Sequence, residues 1–451
     1  MGTRRIGLGQ GTAIYVGAIL GAGILVLPAL AAREAGPASV LAWGLLLVLC
    51  VPVAGTFAAL GARYPDAGGI ATFVYQAFGR RASAVVGYWF YFVLPVGLPA
   101  GGYISGQYIA DALGGGERAA VVSGALLVVA AMSTNLLGLR VSARVQLILV
   151  GLLALLLLVA CALALRDAHA ANLTPFAPHG YSAIGRATSL LFFSFAGWEA
   201  VTHLSAEFGD PQRDLRRVTV LTLLVIAVLY VGVTLTSVLV LGPGLSDTAV
   251  PISMLLAVSV GDAASAVTAT LAVLLTFGTM NAYFAGASRL GAALARDGAL
   301  PLWLAKGNAP GEVPRRSLGL IMVLATAVST LAVVARADLS HLLLAASACL
   351  LAVTVAGLVA GIKLLPAGRP TWWGAVFAAV TIGVVTVFSG LFLAFPLGLA
   401  LAALLYTRTT ARRANRVPVA TLATADAAAA GPAAEEEPVP AGCCATGPEP
   451  D

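Results

Sequence analysis

Charge is what this sequence has least of. Only 10% of its 451 residues are Asp, Glu, Lys or Arg, against about 25% in soluble domains. A chain so poor in charge has no means of covering a water-facing surface, which excludes an ordinary soluble globular protein. Cysteine is scarce too, at five residues. Cys50, Cys161 and Cys349 fall inside apolar stretches, where a thiol serves as a small apolar filler. Cys443 and Cys444 sit in a polar tail assigned below to the cytoplasm, where a disulfide is not expected; a metal or lipid role for that pair is the alternative. The four histidines, 169, 179, 203 and 341, are scattered, so no clustered metal or acid–base centre is expected and no cofactor is implied. There is no basic patch of the kind that holds nucleic acid; the net charge of +6 reflects where the arginines lie between apolar blocks. A cleavable signal peptide is not expected, because the first apolar block is long and lacks a small-residue cleavage site.

What the chain has instead is apolar length. Hydrophobic residues make up 59% of it and the mean hydropathy is +0.94. They come in blocks long enough to cross a bilayer, and the fifty glycines sit mostly inside those blocks, suiting close helix packing and broken helices in lipid. The blocks predict an all-α integral membrane protein of about twelve spans. They lie near 10–32, 38–62, 83–110, 119–137, 143–165, 187–208, 217–242, 263–295, 317–335, 339–362, 372–388 and 390–407. The last two are short and are divided at Ser389-Gly390. An apolar segment at 248–260 is too short to span and is expected at the outer face between spans seven and eight.

The basic residues test this count. With the N-terminus inside, 21 of the 26 Lys and Arg fall on one side, and only Arg33, Arg118, Arg166, Arg186 and Arg336 fall on the other. That is the positive-inside bias. It places both termini in the cytoplasm of a multi-pass inner-membrane protein, and requires two final spans rather than one. Residues 1–409 then form the transmembrane domain. Residues 410–451, with Glu435-Glu436-Glu437 and several prolines but no apolar periodicity, read as a disordered cytoplasmic tail.

Two spans carry interruptions. Span one contains Gly17, Gly21 and Gly23 around Ile19, Ala22 and Ile24, ahead of Pro28. Glycines in mid-membrane lower helix propensity; a small-residue packing stripe is the plainer alternative. Span six carries Phe192-Phe193-Ser194-Phe195-Ala196-Gly197-Trp198-Glu199, again interrupted at mid-depth. Paired interruptions at corresponding places of two inverted halves point to a transporter site. Half-helix N-termini there suit a carboxylate and freed carbonyls suit an ammonium group, so the expected solute is a small zwitterion, an amino acid. A channel would need pore rings or filter loops, and a membrane-embedded enzyme a polar cluster; neither accounts for the two breaks.

Ionisable groups inside spans are few. Glu199, His203 and Glu207 share one helical face. Glu199, nearest the midplane, is a candidate proton carrier, the alternative being a protonated acid that ties two helices together. His203 reads as a packing residue. Glu207 is expected to pair with Arg289 or Arg296 as a gate at the cytoplasmic end. Asn281 in span eight either lines the pathway or joins helices. Pro95 and Pro99 are expected to kink span three.

These pieces together resemble the amino acid–polyamine–organocation superfamily, from about residue 6 to residue 406. The likeness rests on Gly21-Ala22-Gly23-Ile24; on Arg63-Tyr64-Pro65-Asp66-Ala67-Gly68-Gly69 after span two; and on Phe195-Ala196-Gly197-Trp198-Glu199. It continues with Glu207-Phe208-Gly209-Asp210-Pro211-Gln212-Arg213, then Ser288-Arg289 with Ala295-Arg296-Asp297-Gly298. The resemblance implies a five-plus-five inverted repeat with broken helices one and six, followed by two further helices. It implies an amino acid held between those two helices, with the backbone of Gly21, Ala22 and Gly23 at its carboxylate and carbonyls near Ile19 at its ammonium group. Phe193 or Phe195 would be an aromatic lid, Ile24, Ala196 and Gly197 would complete the site, and Glu199 would sense protons. Ala22 stands where some relatives carry a hydroxyl, which removes a side-chain contact to the carboxylate. The run Phe92-Val93-Leu94-Pro95-Val96-Gly97-Leu98-Pro99-Ala100 resembles bacterial exporters of methionine and branched-chain amino acids. Proton-coupled export of neutral apolar amino acids is therefore expected, with an uptake permease or exchanger as the alternative.

Overall fold

A computed structural model describes residues 7–64, 69–138, 143–195, 197–198, 210–261, 263–307, 313–336 and 338–414. All regular structure among the described residues is helical. Ten helices are long and apolar enough to cross a membrane, and they coincide with every expected span except one and six. Those two are the spans read as broken.

Span one divides into a helix Leu8–Leu20, a 3-10 turn Gly23–Leu25 and a second helix Leu27–Ala35. Gly21 ends the first half with φ +42°, a backbone setting that costs glycine little and other residues more. Pro28 stands in the first turn of the second half, where its missing N–H leaves no bond unmade. The first half of span six is the helix Ser182–Leu191, which tightens into a 3-10 turn at Phe192–Phe195. Ala196 and residues 199–209 lie outside the described residues, and with them the expected roles of Ala196, Glu199, His203 and Glu207.

Span three, Arg80–Ala112, runs helical through Pro95 and Pro99 and packs very tightly on span four, Glu117–Leu136. A Cβ at Gly106 would sit 2.0 Å from the carbonyl oxygen of Ala120, and one at Gly124 would sit 2.6 Å from that of Gly102. Glycine lets these backbones meet, which is how spans gain contact where lipid supplies no hydrophobic drive. The opposite situation holds at the periphery, where Leu155, Val228, Val323 and Val380 are each more than half exposed on faces that suit lipid tails.

Two short helices were not separately expected. Ile70–Phe78 follows span two, and Lys363 at the end of span ten donates to the carbonyl of Ala77 at 2.7 Å and lies over the Phe78 ring. Pro251–Val260 occupies the expected non-spanning segment between spans seven and eight. The chain divides into residues 1–407 and 408–451; the described part of the second, 408–414, is helical.

Candidate functional site

The two breaks meet at one buried hydroxyl. Tyr230 lies fully buried within Pro211–Leu241, span seven. Its Oη is 3.0 Å from the carbonyl oxygen of Ile19, 2.9 Å from that of Ser194 and 2.6 Å from Ser194 Oγ. A phenol has one proton to donate, so the two carbonyls share it, while the Ser194 hydroxyl is able to donate back. Ile19 is in the last turn of the first half of span one, where carbonyls lose their intrahelical partners. Ser194 sits in the 3-10 turn that closes the first half of span six. Each break thus presents a carbonyl to the same point.

Close approach makes this possible. A Cβ at Gly197 would fall 2.6 Å from Ile19 N and 2.7 Å from the carbonyl carbon of Ala18, so the breaks touch backbone to backbone. Gly23 faces Ser194 from the other side, where a Cβ would be 3.0 Å from Ser194 Oγ. Aromatic rings wall the junction: Trp43 lies 4.6 Å from Tyr230 and 5.8 Å from Phe195 between centroids, and Phe195 is 4.9 Å from Tyr230.

Spans three and eight close the remaining side. The open face of Gly101 looks onto Met280 Cε, Thr276 Cγ2 and Ala22 Cβ at 3.6–4.0 Å, and that of Gly97 looks onto the Phe193 ring at 3.6 Å. Ser105 donates to Thr276 Oγ1 at 2.6 Å one turn further along. Ala22, Gly23, Phe193, Gly97, Gly101, Thr276 and Met280 thus form an uncharged, apolar and weakly hydroxylated setting around the break.

The expected site residues separate into three groups. Ile19, Gly21, Ala22, Gly23, Ile24, Phe193, Phe195 and Gly197 gather at or beside the junction. Asn281 instead joins helices. Its Oδ1 accepts from Asn135 Nδ2 at 2.7 Å and from Thr134 Oγ1 at 2.8 Å, and its Nδ2 donates to the Phe277 carbonyl. Both ends of the amide are engaged, so the lining role expected of it gives way to the helix-joining alternative. Arg289 is exposed near the end of span eight, and its expected partner Glu207 falls outside the described residues.

Comparison with known proteins bears on what this junction does. A family model described as amino acid permease matches residues 6–420. The chain belongs to the amino acid permease family. It is 33% identical over 401 residues to the uncharacterized amino acid permease YecA of Bacillus subtilis (strain 168), covering 89% of this chain and 94% of that protein. Over 235 residues it is 38% identical to the L-methionine/branched-chain amino acid exporter YjeH of Escherichia coli (strain K12), covering 51% of this chain and 55% of that one. The branched-chain amino acid permease BcaP of Bacillus subtilis (strain 168) is 30% identical over 250 residues, 51% of this chain and 53% of its own.

In this permease the arginine-poor end is closed by direct polar ties. Arg33 pairs with Asp338 at 3.0 Å and Glu34 with Arg186 at 3.3 Å, while His179 Nδ1 lies 3.0 Å from the Glu34 carbonyl. Partial burial works against ionisation of Asp338, but the Ser340 amide at 3.0 Å and the Arg33 guanidinium outweigh it and hold the carboxyl below its usual range. Deeper in, the Tyr108 hydroxyl donates to the Leu25 carbonyl at 2.6 Å and accepts from the Ile252 amide at 3.3 Å. Ser253 donates to Asp111 at 2.8 Å. Tyr108 and Asp111 of span three therefore pin the short helix Pro251–Val260, and Tyr108 also pins the second half of span one.

Sequence reasoning missed Tyr230, Ser194 and Tyr108. The one signal in the sequence was a lone tyrosine in an otherwise aliphatic stretch of span seven, and a serine set among three phenylalanines.

Proposed function

We propose that this permease exports neutral apolar amino acids, with methionine and branched-chain side chains preferred, across the cytoplasmic membrane in exchange for protons. The observation that carries the reading is the convergence of the Ile19 and Ser194 carbonyls on one shared donor. Two carbonyls with a single proton between them are under-donated, and an ammonium group with three N–H donors satisfies both. The carboxylate of such a substrate would meet the backbone from Gly21 to Ile24 at the break of span one, where a half-helix begins at Leu27. Phe193 and Phe195 would cover it. The uncharged surroundings of Ala22, Gly101, Thr276 and Met280 favour an apolar side chain over a cationic or acidic one, because an unpaired charge there would be costly. Glu199 is the proposed proton carrier, and Glu207 with Arg289 the proposed gate at the arginine-rich, cytoplasmic end. The relative named an exporter of methionine and branched-chain amino acids supports the direction and the substrate class; the relative named a branched-chain permease supports the class alone.

Counterflow in proteoliposomes tests this reading. Labelled leucine and methionine should exchange, lysine and glutamate should not, and a proton gradient directed opposite to the amino acid should drive net movement. Glu199→Gln should keep gradient-free counterflow and lose the response to the gradient. Exchange confined to charged substrates, or a response to the gradient unchanged in Glu199→Gln, would overturn it.

A further inference from the structure

Trp198 stands between two small cavities. Its side chain is 4% exposed, and its indole N–H is enclosed with no hydrogen-bond partner. Indole nitrogen donates only, so it has no means of satisfying itself. The unpartnered hydroxyls of Thr222, Thr234 and Ser237 are a different case, because a helical Ser or Thr is able to turn to the carbonyl one turn earlier. Each cavity has a volume of about 10 Å³, room for a single water. One is lined by Tyr15, Phe57, Leu215 and Thr219 as well as Trp198, so it brings two hydroxyls to the unpartnered indole. The other, lined by Leu46, Val53, Phe192, Phe195 and Ile382 with Cys50, is apolar, and apolar cavities of this size stay dry.

We infer that the cavity bounded by Tyr15, Trp198 and Thr219 is a hydration site, holding one water through the indole N–H and the two hydroxyls, by which solvent reaches the breaks from the arginine-rich side. Tyr15 lies in the first half of span one, Trp198 in span six just beyond its break, and Thr219 in the first third of span seven. The water thus sits where three moving elements meet, on the arginine-rich side of the contact between Gly197 and Ile19. A water exchanges its bonds as the elements part, so these halves separate without leaving a protein donor bare. The inference concerns hydration alone and holds whichever solute the permease carries.

Radiolytic footprinting in ¹⁸O-labelled water tests it, because radicals born from a bound water oxidise the side chains beside it. Trp43 is the internal control: it is equally buried and its indole N–H is also unpartnered, but it faces the rings of Phe195 and Tyr230. Trp198 should label several-fold faster than Trp43, and Tyr15 faster than the buried Tyr91. Combining Tyr15→Phe with Thr219→Val should bring Trp198 down to the rate of Trp43 while leaving Trp43 unchanged. If the double variant does not fold, Thr219→Val alone, which keeps the side-chain shape, serves for the same comparison. Equal labelling of Trp198 and Trp43 in the native protein would overturn the inference, as would a rate at Trp198 indifferent to loss of the hydroxyls.

Discussion

Substituting Gly197 by alanine should separate the two breaks, and the structure fixes how far. The added Cβ would lie 2.6 Å from Ile19 N and 2.7 Å from the Ala18 carbonyl carbon. These are backbone atoms and have no rotamer by which to step aside. Restoring an ordinary contact of 3.4 Å requires the spans to part by 0.7–0.8 Å, the difference between that separation and the two distances. The Tyr230 bond to the Ile19 carbonyl, now 3.0 Å, would then exceed any useful length. Overpacking costs about 1–3 kcal/mol and the lost bond about 1 kcal/mol, so the junction should weaken by about 2–4 kcal/mol. That corresponds to a shift of about 30- to 1,000-fold in the population of the closed arrangement. Two milder variants calibrate the effect. At Gly23 the new Cβ would meet side-chain atoms of Leu27 and Ser194 at 3.0 Å, which are able to give way, so the loss should be roughly 1 kcal/mol or less. At Gly101 the nearest atom is 3.6 Å away, and alanine inside a helix should raise stability by about 0.5–1 kcal/mol. Thermal melting in detergent together with leucine counterflow reads the series. Gly197→Ala that melts and transports like the native protein, or Gly23→Ala more damaging than Gly197→Ala, would refute the backbone contact as the controlling feature.

Tyr230→Phe removes the shared donor and leaves two buried carbonyls without it, a cost of about 1–3 kcal/mol. Melting should fall accordingly and the Michaelis constant for leucine should change more than the maximal rate; a variant indistinguishable from native in both would count against the junction. At the arginine-poor end, the Asp338 carboxyl is held below its ordinary range. A depressed value means that the tie contributes fully above the unfolded pKa of about 4 and is lost only as pH falls below it. The melting difference between the native protein and Asp338→Asn should therefore be constant from neutral pH down to about 5 and vanish only in stronger acid. A difference that had already disappeared at pH 6 would show that another group sets it.

Spans were legible because a membrane demands length and apolarity, both of which are local properties of the chain. The break in span one was legible for the same reason: Gly21 and Gly23 weaken the helix where they stand. Partnerships were not. Tyr230 meets Ile19 across 211 residues and Arg33 meets Asp338 across 305, and no local pattern predicts which side chain lies opposite which. Asn281 shows the limit well. An amide in mid-span is costly unless satisfied, so some partner was required, but whether that partner was a solute or span four depended on the rotation of a helix. Rotation placed Met280 toward Ala22 and Gly101, and Asn281 toward Thr134 and Asn135.

The exceptions to the arginine bias carry a further implication. Arg33 and Arg186 are two of only five basic residues on the arginine-poor side, and both are ion-paired. Exposed pairs are individually weak, yet these two tie the second half of span one to spans ten and six, and Tyr108 adds a buried bond from span three to Leu25 of the same segment. Among the described residues, the first half of span one has one side-chain tie from another span, the Tyr230 bond to Ile19. The two halves of this broken helix are thus held by different means, several direct polar bonds at one end against a single shared hydroxyl and packing at the other. Movement of the first half breaks fewer bonds. In a permease that must open alternately to each side, the arginine-rich end is accordingly the one that yields first from this closed arrangement, with the polar ties at the other end released only when something at the junction replaces what they contribute.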